Sequence, residues 1–337
     1  MKIDFVVTWV DGNDPEWIAE KNKFSPGINK TFNTNIRYRD YGLFKYWFRS
    51  IEKYAPWVNK IYVVTSGQKP EWLNIHADKI VFVKHSDFIP EEYLPTFNSN
   101  AIELNLHRIK GLSENFVLFN DDMYLINDVT ENDFFYKGLP RKVGIYSPVI
   151  PFKEFSNTVF NNVRIINKNF DKRKDLKRNW KKFISFKYGS EQLRTISTLH
   201  FRRVLGYKNL HLTSSHTKSV YREVWDKEFA TLDVTSKSKF RSRSDVNHWL
   251  FSYWQIEKGF FYPQSTKLGY FYTLNEFENI TNAIVKGSRK IICINDDYDV
   301  ENYEDKINGL IQTLKRYFQI NPNLNYRILG EYRRCKG

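Results

Sequence analysis

The segment that decides the fold reads Phe116-Val117-Leu118-Phe119-Asn120-Asp121-Asp122, an apolar run that ends in an amide and two carboxylates. A short apolar run of this kind is typical of a strand buried on both faces of a parallel sheet. In open α/β sheets, ligands bind outside the carboxyl ends of the strands. We therefore predict a buried strand that delivers Asp121 and Asp122 to a binding site.

The same pattern returns later in the chain as Ile291-Ile292-Cys293-Ile294-Asn295-Asp296-Asp297. Asn and Asp are also common turn residues, so one copy alone is weak evidence for a site. Two copies favour a hard cation such as Mg²⁺, which takes oxygen ligands. The candidate ligands are Asp121, Asp122, Asp296 and Asp297, and a metal-assisted reaction on a phosphate-bearing substrate is the first hypothesis.

Outward from segment 116–122, the first 130 residues alternate strand-like with helix-like segments. This alternation predicts an α/β fold with a mostly parallel sheet. Helices are predicted at 41–54, where Leu43, Trp47 and Ile51 share one side, and at about 100–112. The predicted strands are 3–10, 60–65, 79–84 and 116–119.

Small, polar or acidic residues follow each predicted strand. The first strand leads into Asp11-Gly12-Asn13-Asp14, and the second into Ser66-Gly67-Gln68. The third is followed by His85-Ser86-Asp87. Each group alone suits a turn, but together they predict one site at the carboxyl edge of the sheet.

The middle of the chain has a different character. Residues 164–187 contain ten Lys and Arg residues against two Asp, with Leu176, Trp180, Phe183 and Ile184 on one helical stripe. Such a helix either lies on an anionic membrane surface or packs its apolar stripe on the domain. Further helices are predicted at 192–205 and 246–258, a strand at 290–294 and a helix near 303–318.

Composition and charge exclude several classes of protein. The 337 residues are 41% hydrophobic and 17% aromatic, unlike a disordered chain. No stretch approaches the ~20 apolar residues of a membrane span, and no signal-peptide core is visible. A cytoplasmic protein is therefore expected. The net charge of +14 favours polyanions: nucleic acid, anionic lipid, nucleotides or acidic glycans.

Familiar catalytic motifs are missing from the sequence. It has no Walker loop, dinucleotide-binding glycine motif, nucleophile elbow or zinc-ligand spacing, and Cys293 and Cys335 make no disulfide framework. No nucleic-acid-binding motif occurs, so we expect no nucleic acid partner. His107 shares a helical face with Glu103. Guanidinium groups match the geometry of phosphate oxygens, so arginines are candidates for binding phosphate. The candidate phosphate clamps are Arg37, Arg39, Arg49, Arg241 and Arg243.

These motifs resemble the Stealth family of sugar-1-phosphate transferases in four blocks. The first resembles residues 3–15, which include Thr8-Trp9-Val10-Asp11-Gly12-Asn13. The second is similar to residues 37–122, including Val64-Thr65-Ser66-Gly67 and Phe119-Asn120-Asp121-Asp122. The third lies around His216 and Phe240-Arg241, and the fourth at Cys293-Ile294-Asn295-Asp296-Asp297. Together the blocks span nearly the whole chain in the family order.

The resemblance implies transfer of a hexose-1-phosphate from a UDP-hexose or UDP-N-acetylhexosamine to a hydroxyl of a lipid-linked glycan. UMP would leave, a phosphodiester would form, and Mg²⁺ or Mn²⁺ would be the cofactor. The family implies a glycosyltransferase-A-like, Rossmann-like and mostly parallel sheet with a helical insertion. The expected organisation is one catalytic unit with three parts: a nucleotide-sugar-binding core at 1–150, a basic helical acceptor lobe at 151–285 that carries part of the active site, and a return to the core at 286–337.

Site residues are carried over from the resemblance by position. Asp122, His216, Arg241 and Asp296 would be the essential groups, with His216 as base toward the acceptor hydroxyl and Arg241 on the β-phosphate. The nucleotide-sugar side would be formed by Val10, Asp11, Gly12, Asn13, Arg39, Arg49, Thr65, Ser66 and His107.

One departure and two alternatives remain open. The third block of the family has a His-x-Pro-His pattern, whereas here Thr213 replaces the first histidine, His216 keeps the last, and His211 lies two residues earlier. This departure concerns the acceptor side. The alternatives are a metal-dependent glycosyltransferase that releases UDP, and a basic non-catalytic protein that binds membrane or nucleic acid. Peripheral contact with the inner membrane face through 164–187 is also expected.

Overall fold

The computed structural model describes residues 1–25, 33, 38, 41–151, 154–296 and 300–318, which form an α/β fold with eleven strands in these ranges. The strands of the first half precede a largely helical stretch, and two of the last three pair with one another. In chain order the strands are β1 (Ile3–Thr8), β2 (Ile61–Thr65), β3 (Ile80–Lys84), β4 (Asn115–Asn120), β5 (Met123–Leu125), β6 (Phe135–Tyr136), β7 (Leu139–Lys142), β8 (Ser214–Thr217), β9 (Tyr262–Pro263), β10 (Gly269–Thr273) and β11 (Ile291–Asn295).

The main sheet has the strand order β3-β2-β1-β4-β8. Its first four strands are parallel, and only β8 runs antiparallel, against β4. The four strands predicted for this sheet are confirmed, and the first ends at Thr8 rather than at Val10. The mostly parallel α/β class predicted from the sequence is therefore confirmed.

Both faces of the main sheet are buried. Phe5 and Phe119 face a core that includes Trp47, whereas Val6 and Phe116 face a second core on the opposite side. Because neighbouring residues of a strand point to opposite faces, burial on both sides requires a continuous apolar run. This requirement explains why the strands read as unbroken Val, Ile and Phe.

The second Asn-Asp-Asp strand does not enter the main sheet. Strand β11 lies in a second sheet of order β10-β11-β5, parallel to β10 and antiparallel to β5. A third small sheet has the order β6-β7-β9. Since β5 directly follows segment 116–122, its pairing with β11 brings the end of β11, and with it Asn295 and Asp296, next to Asp122.

Eleven α-helices surround these sheets in the described ranges. No helix among them is long and apolar enough to cross a membrane. In chain order they are α1 (Pro15–Phe24), α2 (Phe44–Tyr54), α3 (Ser99–Leu104), α4 (Glu131–Phe134), α5 (Ser156–Asn169), α6 (Lys172–Phe183), α7 (Leu193–Ser197), α8 (Lys218–Lys237), α9 (Trp249–Glu257), α10 (Phe277–Lys286) and α11 (Tyr303–Tyr317).

Two predicted helices are wrong in extent. The helix expected at 100–112 ends at Leu104, because the Asn105 amide donates to Ala101 O at 2.9 Å and a 3₁₀ turn follows. The helix expected at 192–205 covers only α7. The helix does not continue beyond Ser197, because Lys172 Nζ donates hydrogen bonds to the carbonyl oxygens of Thr198 and Phe201. Both side-chain contacts are invisible in a propensity pattern.

The expected parts of the chain share their sheets. Strand β8, from the part predicted as the helical lobe, completes the main sheet beside β4. Strand β5, from the predicted core, pairs with β11 near the end of the chain. The three expected parts are therefore joined through shared sheets.

Candidate active site

The carboxyl ends of β1 and β2 are joined by one glutamine side chain. Gln68 accepts from Asp11 N at 3.1 Å, and its amide donates to Asp11 O and to Asp14 Oδ2, both at 2.9 Å. Asp14 in turn caps the start of α1. The turn that contains Val10 and Asn13 is thereby fixed against the end of β2.

Gly12 allows this turn to touch a second backbone segment. A Cβ atom on Gly12 would lie 1.8 Å from the carbonyl oxygen of Tyr38, so only glycine fits. At the end of β2, Thr65 is fully buried and its Oγ1 accepts from Gly67 N at 3.0 Å. Ser66, the next residue, is exposed. The nucleotide-side turns expected from sequence thus lie at one edge of the sheet.

Asp122 lies against the second sheet. Its carbonyl oxygen accepts from Ile294 N at 2.9 Å, and its Oδ2 accepts from Cys293 Sγ at 3.4 Å. Burial raises the pKa of Asp122 to about 6, although the Cys293 hydrogen bond opposes this rise. Its buried Oδ1 has no hydrogen-bond partner among the described residues. One carboxylate oxygen is therefore left available for a ligand.

Asp296 follows β11 on the same side of the molecule. Its Oδ2 accepts a short hydrogen bond from the hydroxyl of Tyr41, just before α2. Asp121 is half-buried, and burial followed by the charges of Asp122 and Asp121 raises the pKa of Cys293 well above its ordinary value. Arg37, Arg39 and Asp297 lie outside the described residues, so their predicted roles stay predictions.

The carboxylates fit a cation only in part. Within the described ranges, no three His, Cys, Asp or Glu side chains form a group that could hold a metal ion. Mg²⁺, however, is commonly held by one or two carboxylates with substrate phosphates and water. The free oxygen of Asp122, beside the turn that carries Asp296, fits that mode of binding. The metal stays a prediction.

Arg241 reaches the same edge from the helical part of the chain. Its Nη2 donates to Ser99 Oγ at 2.6 Å, at the start of α3, and its backbone pairs with the side chain of Asn33. Its positive charge also acts on Glu103, whose pKa burial raises to about 7. The guanidinium is half-buried rather than spread on the surface.

His216 occupies a different place from the one expected. It lies on β8 opposite Phe116, four residues or roughly 13 Å before the end of β4 at Asn120. The residue has 0% exposure, and its Nε2 is 3.3 Å from His248 Nδ1. Burial, then the charge of Lys142, lowers its pKa well below the ordinary value. This enclosed placement does not favour the predicted role of base, and that role stays a prediction.

His211 is a candidate site residue that was not among the residues predicted from the sequence. It has a positive φ of 53°, and its ring packs on Trp249 and Phe271, the latter at 4.9 Å between centroids. Phe271 pairs in register with Cys293, whose side chain contacts Asp122. Burial, then the charge of Arg241, lowers the pKa of His211, so it is neutral at pH 7. The only signal in the sequence was its place near the third block.

Two other predicted residues lie away from the strand ends. His107 is buried between Tyr221 and Trp225, and burial lowers its pKa to about 3. This is the position of a packed interior side chain, so contact with a nucleotide sugar is not favoured and stays a prediction. Arg49 is half-buried on α2, with its guanidinium 5.5 Å from the ring centre of Tyr46.

Comparison with known proteins identifies the family to which the chain belongs. Conserved region 1 of the Stealth proteins matches residues 1–28, and conserved region 2 matches residues 37–142. The chain is 46% identical over 317 residues to a capsular polysaccharide phosphotransferase, WcwK, of Streptococcus pneumoniae, covering 94% of this chain and 96% of that protein.

Two further relatives agree with this class. A receptor polysaccharide phosphotransferase, WefC, of Streptococcus oralis is 42% identical over 93% of this chain and 96% of its own length. An exopolysaccharide phosphotransferase, cps2G, of Lactiplantibacillus plantarum is 42% identical over 87% of each chain. The chain belongs to the Stealth family, as its motifs predicted, and it is a transferase.

Likeness to solved structures is much weaker. A galactosyltransferase, LgtC, solved with donor and acceptor sugar analogues, covers 95% of this chain and 98% of its own, with a TM-score of 0.42 and 8% identity. A structural similarity this low carries no information about the reaction of this chain.

Proposed function

We propose that the protein transfers a hexose-1-phosphate from a UDP-sugar to a hydroxyl of a surface polysaccharide precursor. The observation that carries the proposal is the meeting of the Asp122 and Asp296 turns at one edge, within reach of strand ends β1 and β2. The polysaccharide phosphotransferases to which the chain is similar support the reaction class.

In the proposed reaction, the acceptor oxygen attacks the β-phosphorus of the UDP-sugar. A new phosphorus–oxygen bond forms the phosphodiester, the bond to the bridging oxygen breaks, and UMP leaves with its electron pair. A divalent cation bound by Asp122 and Asp296 would neutralise phosphate charge. Arg241 supports the same charge with a guanidinium fork, and the strand-end turn at Asp11 lies on the nucleotide side.

The acceptor hydroxyl must lose a proton in this step. We assign that proton to His211 rather than to His216, because His211 lies on the cleft beside Phe271 while His216 is enclosed. A neutral imidazole at pH 7 is able to accept a proton, and the lowered pKa of His211 keeps it in that form. The imidazolium then returns the proton to solvent.

The nucleotide product tests this proposal. The purified protein would be incubated with Mg²⁺, a lipid-linked glycan extract and a panel of UDP-hexoses, and the nucleotides separated. UMP release together with a new phosphodiester signal in ³¹P NMR is the expected result. UDP release would overturn the proposal in favour of a glycosyltransferase. Asp122→Asn serves as the inactive control.

We also propose that the protein docks on anionic membrane through the surface formed by residues 172–203, here called the basic face. Eleven Lys and Arg residues against two acidic ones lie in this range. Of the stripe predicted at 164–187, Phe183 is buried, but Trp180 is 54% exposed. Further exposed apolar side chains follow on or near α7: Phe186, Leu193, Ile196, Leu199 and Phe201. Cationic and apolar groups together favour anionic lipid.

Vesicle binding tests the basic face. Vesicles with anionic lipid should bind the protein and release it at high salt, while Phe186→Ser and Leu193→Ser weaken binding roughly tenfold. Phe229→Ser, at a site on α8 about as exposed as Leu193, should have no effect. Binding that ignores lipid charge and salt, or a stable dimer that covers this face, would contradict the proposal.

A further inference from the structure

Lys142, a buried lysine without a counter-ion among the described residues, lines the cleft that also contains His211. Lys142 ends β7 and is 6% exposed, and its Nζ donates to Ser252 Oγ at 2.7 Å and to Ser214 Oγ at 3.4 Å. In the part of the chain that the structure describes, no carboxylate pairs with it, and burial lowers its pKa well below the ordinary value. This buried amine has only hydroxyl partners in that part of the chain, and a bound anion would stabilise its charged form, so the position suits an anionic ligand.

No ionisable group near Lys142 in the described ranges compensates its positive charge. Burial, and then the charge of Lys142, lowers the pKa of both His216 and His248, so both rings are neutral at pH 7. Glu103 lies beyond His248, with its Oε2 3.9 Å from His248 Nε2. Burial raises the pKa of Glu103 to about 7, so even this carboxylate is only partly ionised near neutrality. The ammonium is thus matched by hydroxyl groups alone.

Lys142 lines a cleft bounded by β7, β8 and α9, which encloses about 670 Å³ including its open mouth. Thr213 and Gln264 also line it, and the buried Oγ1 of the former and Oε1 of the latter have no hydrogen-bond partner among the described residues. Trp249 adds an aromatic wall. Buried polar atoms normally find partners, so these oxygens favour a ligand with hydroxyl groups.

We propose that this cleft binds an anionic saccharide, with its charged group on Lys142 and its hydroxyls on Thr213 and Gln264. The inference rests on the proposed function, since His211, the base assigned there, lines the same cleft. A sugar phosphate delivered by the donor and a charged acceptor glycan share this chemistry. Lys142 is in either case a binding residue of the cleft.

Binding without nucleotide tests the cleft independently of turnover. Titration calorimetry would compare glucose 1-phosphate and glucuronic acid with methyl glucoside. We expect the anionic sugars to bind at least about tenfold more tightly, and Lys142→Met to remove that preference. Lys208→Met is the matched control, because Lys208 lines the same cleft but pairs with Glu191 at 2.9 Å. Equal binding of charged and neutral sugars, or an unchanged preference in Lys142→Met, would overturn the proposal.

Turnover then identifies the source of the anion. A raised KM for the UDP-sugar in Lys142→Met assigns the cleft to the donor's sugar phosphate, and a raised KM for the glycan assigns it to the acceptor. A lower kcat with both KM values unchanged would contradict a binding role. Charge-dependent sugar binding without turnover of any UDP-sugar would remove the proposed function and keep the cleft.

Folding of the variant has its own control. Replacing an unpaired buried charge by an apolar side chain of similar shape is expected to leave the melting temperature unchanged or higher. Should Lys142→Met not fold, Ser252→Ala removes the 2.7 Å partner of the ammonium. A weaker preference for anionic sugars in that variant supports the proposal, and an unchanged one contradicts it.

Discussion

At the scale of single residues, burial sets the chemistry of the candidate site. Asp122 is a carboxylate whose pKa burial raises to about 6, while one of its oxygens stays without a partner in the described ranges. His211 is an imidazole that burial and Arg241 keep neutral. Both groups depend on neighbours far away in sequence, so their acid–base properties belong to the folded chain.

Asp122→Asn is predicted to reduce kcat by roughly 100-fold or more, because it removes charge opposite the phosphates. Its effect on stability has the opposite sign. The raised pKa means that ionised Asp122 destabilises the fold, so the variant should unfold at higher denaturant concentration above pH 6. This advantage should decrease as the pH falls from 6 and vanish below about 4, where the carboxyl is protonated in both states.

Urea titrations from pH 4 to 8 measure this dependence. Asp128→Asn is a suitable control, since Asp128 is exposed beyond β5 and should leave stability nearly constant over the range. A variant that is less stable than the wild-type protein at pH 7 would contradict the buried-carboxylate explanation.

Substitutions of His211 and of His216 are predicted to have different effects. His211→Gln should lower kcat by roughly 100-fold with little change in melting temperature, as for loss of a general base. His216→Gln should lower the melting temperature, because its ring packs on Phe116 and Tyr221 in the interior. Steady-state kinetics and calorimetric melting separate the two. A loss of kcat confined to His216→Gln, without loss of stability, would return the base to His216.

At the scale of elements, short turns after strands hold the site in place. The turn after β1 is fixed by Gln68 and by close approach to the carbonyl oxygen of Tyr38, and the turn after β4 is held by β11. The strands themselves are anchored by packing on both faces of the sheet. A small displacement of one of these turns should therefore weaken ligand binding before it lowers the stability of the core.

Gly12→Ala is predicted to displace this turn, because its Cβ would meet the backbone of Tyr38 at 1.8 Å. A displacement of this size should lower kcat/KM for the UDP-sugar by roughly 100-fold while the core still melts cooperatively. Gly138→Ala is the comparison: an added Cβ there meets nothing within 4 Å, although its φ of 77° brings a modest loss of stability. Normal donor kinetics in Gly12→Ala would show that this turn does not hold the nucleotide.

At the scale of the whole molecule, each of two sheets combines strands from distant parts of the chain. Strand β4 needs β8 from the helical part, and β5 needs β11 from the end of the described chain. Phe116 and Tyr221 pack across this junction, with ring centroids 5.5 Å apart. The candidate site lies where the two sheets meet, so it is assembled only when the whole chain folds.

A fragment of residues 1–150 is therefore predicted not to fold on its own. It would leave the edge of β4 unpaired and expose the core face that α8 and α9 cover. Gel filtration and circular dichroism should show an aggregated or unfolded chain. A monomeric fragment with a cooperative melting transition would contradict this interdependence and support the division at residue 150.

Much of this molecule was determined by the sequence alone. The unbroken apolar runs predicted the parallel strands, and the residues after them predicted the edge at which Asp11, Thr65 and Asp122 lie. These features are local, because burial on both faces dictates residue type within one strand. The family was also predicted from its motifs.

Only the tertiary structure decided what lies opposite those strands. It separated His211 from His216 and placed β11 in a second sheet. It also buried Lys142 at the cleft with no counter-ion among the residues that the structure describes. These results depend on antiparallel register, on exposure and on contacts between residues more than a hundred positions apart. Sequence periodicity predicts which face of a helix or strand is buried, but not which element packs against that face. The packing element determines the accessibility, the electrostatic surroundings and the pKa of a side chain.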